Sequence, residues 1–587
     1  MRAARSTTAV VAALALLALV LPAAASAAAP TDTTETVSTN APSAAQAADA
    51  CRPVANGSAP ENPETDRLGW ENGCWYDESL AVTRSDGLND TELDAVVGRA
   101  MARVERVRQL EFDETVPVEV ISRQQYRQTL ANGSEPTTAA RLHQNVKWEA
   151  TFMINESTDA LSVQESTLAS GVLGFYSPTE ERIVIVSENT TTPRMNEITL
   201  SQELFHALQD QRFNISGYNQ STTELHNARD GIIEGDGNFV DYRYSQRCAE
   251  EWACLRPEAS PGGGNGSAPH AGVQLTMLVP YSEGPEFVQE RYERAGWEAV
   301  NEVYETPPDS TEQVIHPEKY PDEVPRNVSI DSDPQGEWRV PSIEAGVDHA
   351  SFGEGGLFTT FWYAAYEATG ARGAPTTVGV PYASAFNFRP GTTQLSQLSP
   401  YNYSHPVTAG WDGDRLLPYV TNESSETNET GYVWKLAWDS PADADEFAEA
   451  YRELLSYRGA DPVDGRANTY RVPTGTEFAD AFHLSRDGDT VVLVNAPSVE
   501  ELPEIRPSVE DDWAAATPTD TATESDGTGD AAATDDGSMT GDSSTTDEET
   551  DATGGGGEAA TTAASGPGFG PVAALVALVV VTLRRRR

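Results

Sequence analysis

The chain has 587 residues, 91 of them Asp or Glu against 39 Lys or Arg, for a net charge of −52 at pH 7. So large an acid excess repels polyphosphate and excludes nucleic acid as a partner. The acids are spread along the whole chain, as on a surface solvated for high salt, while 39% apolar residues leave enough for a real core.

Arg2 and Arg5 precede an apolar stretch and then Ala25, Ser26 and Ala27, the layout of a cleaved secretory signal over 1–27. Residues 28–65 are rich in Ala, Thr, Ser and Pro and read as a disordered linker. Four cysteines in an exported chain predict two local disulfides, Cys51 with Cys74 and Cys248 with Cys254. No C-x-x-C pair is present, so a cysteine zinc ribbon is not expected. About a dozen Asn-x-Ser/Thr sequons, among them Asn214, Asn327 and Asn402, fit an exported N-glycoprotein.

Leu93, Val96, Val97, Ala100, Val104 and Val107 recur at helical spacing, with Asn89 or Asp90 as cap, and predict a core-facing helix from 90 to about 110. Residues 174–178 lead through a charged turn into a short β-branched run, 183–186, which reads as a hairpin. A packed helix follows over 195–212, with Ile198, Leu200, Leu204, Phe205 and Leu208 on a common side, and a second over 224–244. Toward the C-terminus a smaller α+β piece is expected over 401–510. It has a strand at 432–438, a helix capped by Ser440 with Pro441 in its first turn, and a strand at 490–494.

Residues 511–566 are almost wholly Thr, Ser, Asp, Glu, Gly and Ala, a composition that reads as a disordered stalk. Pro567, Gly568 and Phe569 then precede an apolar run and four arginines. Thirteen apolar residues rise roughly 20 Å as a helix, short of the ~30 Å hydrocarbon layer. The tail resembles the PGF-type sorting signal of haloarchaeal surface proteins, which an archaeosortase removes and a lipid anchor replaces. An ordinary tail anchor held by the arginines is the alternative.

The chemistry sits on the 195–212 helix. Gln202, Glu203, Leu204, Phe205 and His206 differ by one residue from the zinc signature His-Glu-x-x-His, in which two histidines one turn apart aim at one metal and the Glu handles the attacking water. Several stretches are similar to a family of secreted metallopeptidases with a His-Glu-Leu-x-His-Ala-Leu-Gln-Asp-Gln core. They are 174–176, 203–211, 234–236, 310–320 (STEQVIHPEKY), Gly353 with Glu354, 411–415 (WDGDR) and 432–438.

The resemblance implies a zincin-like metallopeptidase core over 66–400 in an α+β fold. It also implies Glu203 as general base, with His206 and Glu234 as metal ligands. Gln202 occupies the first ligand position, where a neutral amide oxygen is a weaker zinc donor than imidazole. Two readings stay open: a surface glycoprotein whose site has lost catalysis and serves binding or structure, or an active zinc peptidase with a non-standard first ligand. His226, eight residues before Glu234, is a weak substitute candidate, and His316 reads as a hydrogen-bonded structural histidine. His143, His270, His349, His405 and His483 show no ligand spacing. The expected location is the cell surface, with the envelope and an archaeosortase as partners and an unspecified peptide substrate or ligand.

Overall fold

The computed structural model describes residues 51, 63, 65–80, 82, 86–131, 136–169, 173–256, 269–343, 346–369 and 377–516. The expected signal, nearly all of the linker and the C-terminal tail lie outside them. The fold is α+β.

Strands β1 (Trp70–Glu71) and β2 (Cys74–Trp75) form a small hairpin, and Cys74 is disulfide-bonded to a buried Cys51. Helix α1 (Asp90–Arg108) opens on a capping box: the Asn89 side chain accepts the Glu92 N–H, and the Glu92 carboxylate accepts that of Asn89. Strand β3 (Val118–Ser122) is followed by helices α2 (Arg123–Ala131), α3 (Thr138–Glu149) and α4 (Ala160–Ala169). The expected hairpin is present as β4 (Gly174–Ser177) and β5 (Arg182–Ser187). β3 joins it parallel to β5, giving the order β3-β5-β4.

Next come α5 (Glu197–Phe213) and α6 (Thr223–Glu250), the two helices that carry the motif residues. Their placement is fixed by a buried charge cluster. Glu197, at the start of α5, receives Arg99 at 2.9 Å and Arg103 at 2.5 Å from α1, the Tyr244 hydroxyl of α6 at 2.9 Å, and the Leu255 N–H at 2.6 Å. A carboxylate satisfied four times over is locked, and α1, α5 and α6 are locked with it. The second disulfide, Cys248–Cys254, closes the end of α6. Both pairings are those expected from sequence.

Helices α7 (Ala271–Met277), α8 (Val279–Ala295), α9 (Trp297–Glu305), α10 (Thr311–Ile315) and α11 (Gly353–Ala368) complete the helical part. α8 crosses α6 at two glycines: a Cβ on Gly235 would come 2.5 Å from the Gly284 backbone.

Short strands β6 (Thr377–Val378) and β7 (Val380–Pro381) lead to β8 (Trp411–Tyr419), α12 (Ser424–Thr427), β9 (Gly431–Trp438) and α13 (Pro441–Tyr457). Then come β10 (Asp461–Pro462), β11 (Thr469–Arg471), β12 (Ala481–Asp487) and β13 (Thr490–Ala496). These strands form an antiparallel sheet of order β10-β11-β12-β13-β9-β8. Ser440 caps α13 and Pro441 starts it, as the sequence predicts.

The apolar core runs across residue 400 without a break. Trp434, Trp438, Phe447 and Tyr451 pack in one cluster with Phe358 and Phe361 of α11 and Val146 of α3. Asp414 ties the two parts further: its carboxylate accepts the Phe352 and Gly353 N–H groups at 3.1 Å each, the Ser351 hydroxyl at 2.8 Å and the Trp434 indole at 2.9 Å. It thereby caps α11 from a strand.

Two expected boundaries shift. Helices α14 (Leu502–Ile505) and α15 (Ser508–Ala516) carry order past residue 511, because Trp513 is buried against the sheet edge and donates to Thr469. Cys51, inside the expected linker, is buried beside Ala95 through its disulfide. Among the described residues, no helix is long and apolar enough to cross a membrane.

Candidate functional site

α5 and α6 bring three of the four sequence-picked residues into direct relation. His206 Nε2 lies 3.4 Å from Glu234 Oε2, across the interface of the two helices. Gly237, one turn beyond Glu234, permits the approach: a Cβ there would stand 3.2 Å from His206 Cε1. Glu203 precedes His206 by three residues on the same helix, and its Oε2 accepts the Tyr176 N–H of β4 at 3.0 Å.

Gln202 is buried, and its side-chain oxygen has no hydrogen-bond partner. A buried amide oxygen left without a donor costs about 1–3 kcal/mol. Asp210 Oδ1, further along the same helix, is likewise without a partner.

The tautomer of His206 follows from its surroundings. Gln209 Nε2 donates to the Ile233 carbonyl at 2.8 Å and to the Tyr304 hydroxyl at 2.6 Å, so Gln209 Oε1 is the acceptor 2.7 Å from His206 Nδ1. His206 Nδ1 therefore carries a proton, and Nε2 faces Glu234. From Tyr304 the network continues to Asp236 Oδ2 at 2.8 Å and on to Arg108, whose Nε is 2.9 Å from the same carboxylate oxygen. Arg108 and Asp236 are both fully buried.

Burial alone would depress the His206 imidazole, but Glu234, Glu203 and Gln209 outweigh it and push it up to about 10. Its ring is an imidazolium at neutral pH. Glu203 is pushed up to about 7 by burial, held back by His206 and the Tyr176 N–H. A carboxyl poised there is suited to giving and taking protons. Asp236 is raised by burial against the pull of Arg108.

The donor set was tested against zinc. A zinc site of the catalytic kind takes three strong protein donors and leaves a fourth position for water. Here the helices offer one imidazole, one carboxylate and a neutral amide oxygen, and the two strong donors are engaged with each other. The set falls one strong ligand short of such a site. The His206 to Gln209 contact is nevertheless of the kind that orients a metal-binding histidine from behind.

The other sequence candidates lie outside the His206–Glu234 pair. His226 does not reach Glu234; its Nε2 stands 3.4 Å from Asp230 Oδ2. His316 Nε2 pairs with Glu354 at 3.1 Å beneath the STEQVIHPEKY stretch. That stretch, Gly353 with Glu354 and WDGDR meet around α11, where Thr311 Oγ1 accepts the Gly355 N–H and donates to Glu224.

Among the described residues, two groups of three carboxylates lie within 4.8 Å of one another. Glu312, Glu323 and Asp439 already surround the Lys319 ammonium at 2.6, 2.5 and 3.0 Å. Glu149, Glu156 and Asp480 form an all-oxygen set, which suits hard cations and not zinc.

Sequence reasoning missed Gln209, Tyr304, Asp236 and Tyr281. Tyr281 of α8 is partly buried and hydrogen-bonded to Glu234. Gln209 was visible as the residue three after His206. Tyr304 and Tyr281 stand on other helices, where no spacing rule reaches them.

Residues 339–506, from just before α11 through α14, match the model of a domain of unknown function, DUF8575. No curated protein and no solved structure matches the chain.

Proposed function

We propose that the chain is a cell-surface glycoprotein with a degenerate, zincin-like site between α5 and α6, used for binding or structure and not for peptide hydrolysis. One observation carries the reading. His206 and Glu234 face each other at 3.4 Å as an ion pair, while the position that should supply a second imidazole holds Gln202. An imidazolium offers no lone pair at Nε2, so the pair resists a metal until the proton leaves. The locked helices and the Gln209–Tyr304–Asp236–Arg108 chain then account for keeping these residues without catalysis.

The paired cysteines, the signal-like N-terminus and the sorting-like tail support export and anchoring to the cell envelope. An archaeosortase is the processing partner this tail calls for.

A second reading, an active peptidase in which the Gln202 oxygen is the first zinc ligand and Glu203 the base, is favoured by that orphan oxygen and by the carboxyl near 7. Elemental analysis and a peptide-hydrolysis assay on the purified ectodomain separate the two. The degenerate reading expects sub-stoichiometric zinc and no cleavage in the parent, with both gained in Gln202→His. Stoichiometric zinc with cleavage in the parent supports the second reading and ends the first.

A further inference from the structure

The chain has only three lysines. Lys319 is wrapped by three carboxylates, and Lys435 donates to the Ser329 carbonyl. Lys147, on α3, has neither kind of partner among the described residues; its Nζ sits 5.0 Å from the centroid of the neighbouring Trp148 ring. It lines a cavity of about 100 Å³ between α3, the start of α6 and the chain leading into α11. Burial pushes Lys147 down to about 8, with no opposing carboxylate to raise it, so it stays mostly charged at neutral pH. A partly buried ammonium with no carboxylate against it favours an anion in the space opposite it.

The rest of the wall has the same character. Among the described residues no Asp or Glu lines the cavity, in a chain with 91 of them. His143, one turn before Lys147 on α3, and His226 of α6 both line it, and both are more than nine-tenths buried. The Nε2 atom of each has no hydrogen-bond partner. For His226 the Asp230 carboxylate is near, at 3.4 Å, but off the hydrogen-bonding direction.

His349 comes from the chain leading into α11, its Nδ1 lying 2.8 Å from an Arg415 guanidinium nitrogen, which can donate to it, and 3.0 Å from Asp348 Oδ1. Thr222 and Thr223 bring the N-terminus of α6 to the same wall, and a helix start is the positive end of its dipole. A second cation is the wrong occupant. Burial, and then the Lys147 charge, push His143 down to about 4 and His226 to about 3, so both rings are neutral. Asp230 is raised well above the usual range by burial and by Glu234, which weakens its repulsion of an anion.

We propose that this cavity binds a small oxyanion, a carboxylate or phosphate group, held by the Lys147 ammonium with the His226 ring beside it at the capped start of α6. The volume suits such a group with a few waters, at about 10–15 Å³ of this kind of space per water. The site stands about 12 Å along α6 from Glu234 and does not depend on the reading of that centre.

The test is isothermal titration of the full ectodomain at pH 7 with inorganic phosphate and, separately, with acetate. Binding of one equivalent of either supports the site, and the arm that responds names the source of the oxyanion. Lys147→Met is expected to weaken that binding at least tenfold, while Lys435→Met leaves it unchanged. A protection experiment covers a variant that does not fold: carbamylation of the parent by cyanate, read by peptide mass spectrometry, should be slowed by the bound oxyanion at Lys147 and not at Lys435. No heat with either anion and no protection overturns the proposal. So does undiminished binding in Lys147→Met.

Discussion

Helix α6 takes part in two polar environments about two turns apart, and histidine behaves oppositely in them. Beside its middle, His206 stands among carboxylates and is pushed up to about 10 against burial. At its start, His226 shares a wall with Lys147 and is pushed down to about 3. The difference teaches that burial sets only the baseline for these rings. At His206 the carboxylates override that baseline, while at His226 burial lowers the ring and the Lys147 charge lowers it further.

The sharpest way to break the comparison is at the buried cations, one paired and one not. Arg108→Met strands the Asp236 carboxyl in a fully buried network, and urea unfolding should show a loss of about 3–5 kcal/mol. Gly235→Ala should follow with about 1–3 kcal/mol, since its Cβ would push into the Gly284 backbone and part α6 from α8. Lys147→Met should move the other way, a gain on the order of 1 kcal/mol in buffer without phosphate or carboxylate, because it removes a partly buried charge with no carboxylate against it. A loss there would mean that Lys147 is already neutralised by a group of the chain.

The pH dependence sharpens the same contrast. His206 is raised when folded, so its contribution is complete below the unfolded value near 6.5 and is lost as pH rises through about 10. His143 and His226 are depressed when folded. Their contribution is present above about 6.5 and is lost as pH falls through about 4 and about 3. Denaturant midpoints of His206→Gln should therefore converge on the parent in alkali, and those of His226→Asn in acid. Matching profiles for the two variants would erase the distinction between the sites.

Much of the scaffold was legible because its signals are local. The Asn89 and Ser440 caps, the Pro441 start, the β4–β5 hairpin and the α5–α6 pair follow from period and capping chemistry. Glu203 and His206 stand out by their spacing on α5 and Glu234 by what the family resemblance implies, and His206 and Glu234 do meet. What escaped depends on distant partners. β3 joins its sheet only through β5, and Tyr304 reaches Asp236 from 68 residues away. His143, His226 and His349 come from α3, α6 and the chain leading into α11, so periodicity does not bring them together: it dismisses His143 and His349 and points His226 toward Glu234.

The central claim is that His206 is held as an imidazolium by Glu234 and is not a zinc ligand. It is tested most directly by following the His206 ring nitrogens by NMR at pH 7 while zinc is added to the ectodomain. The account predicts that both nitrogens stay protonated and unshifted past one equivalent. Loss of the Nε2 proton with saturation at one zinc per chain would contradict it.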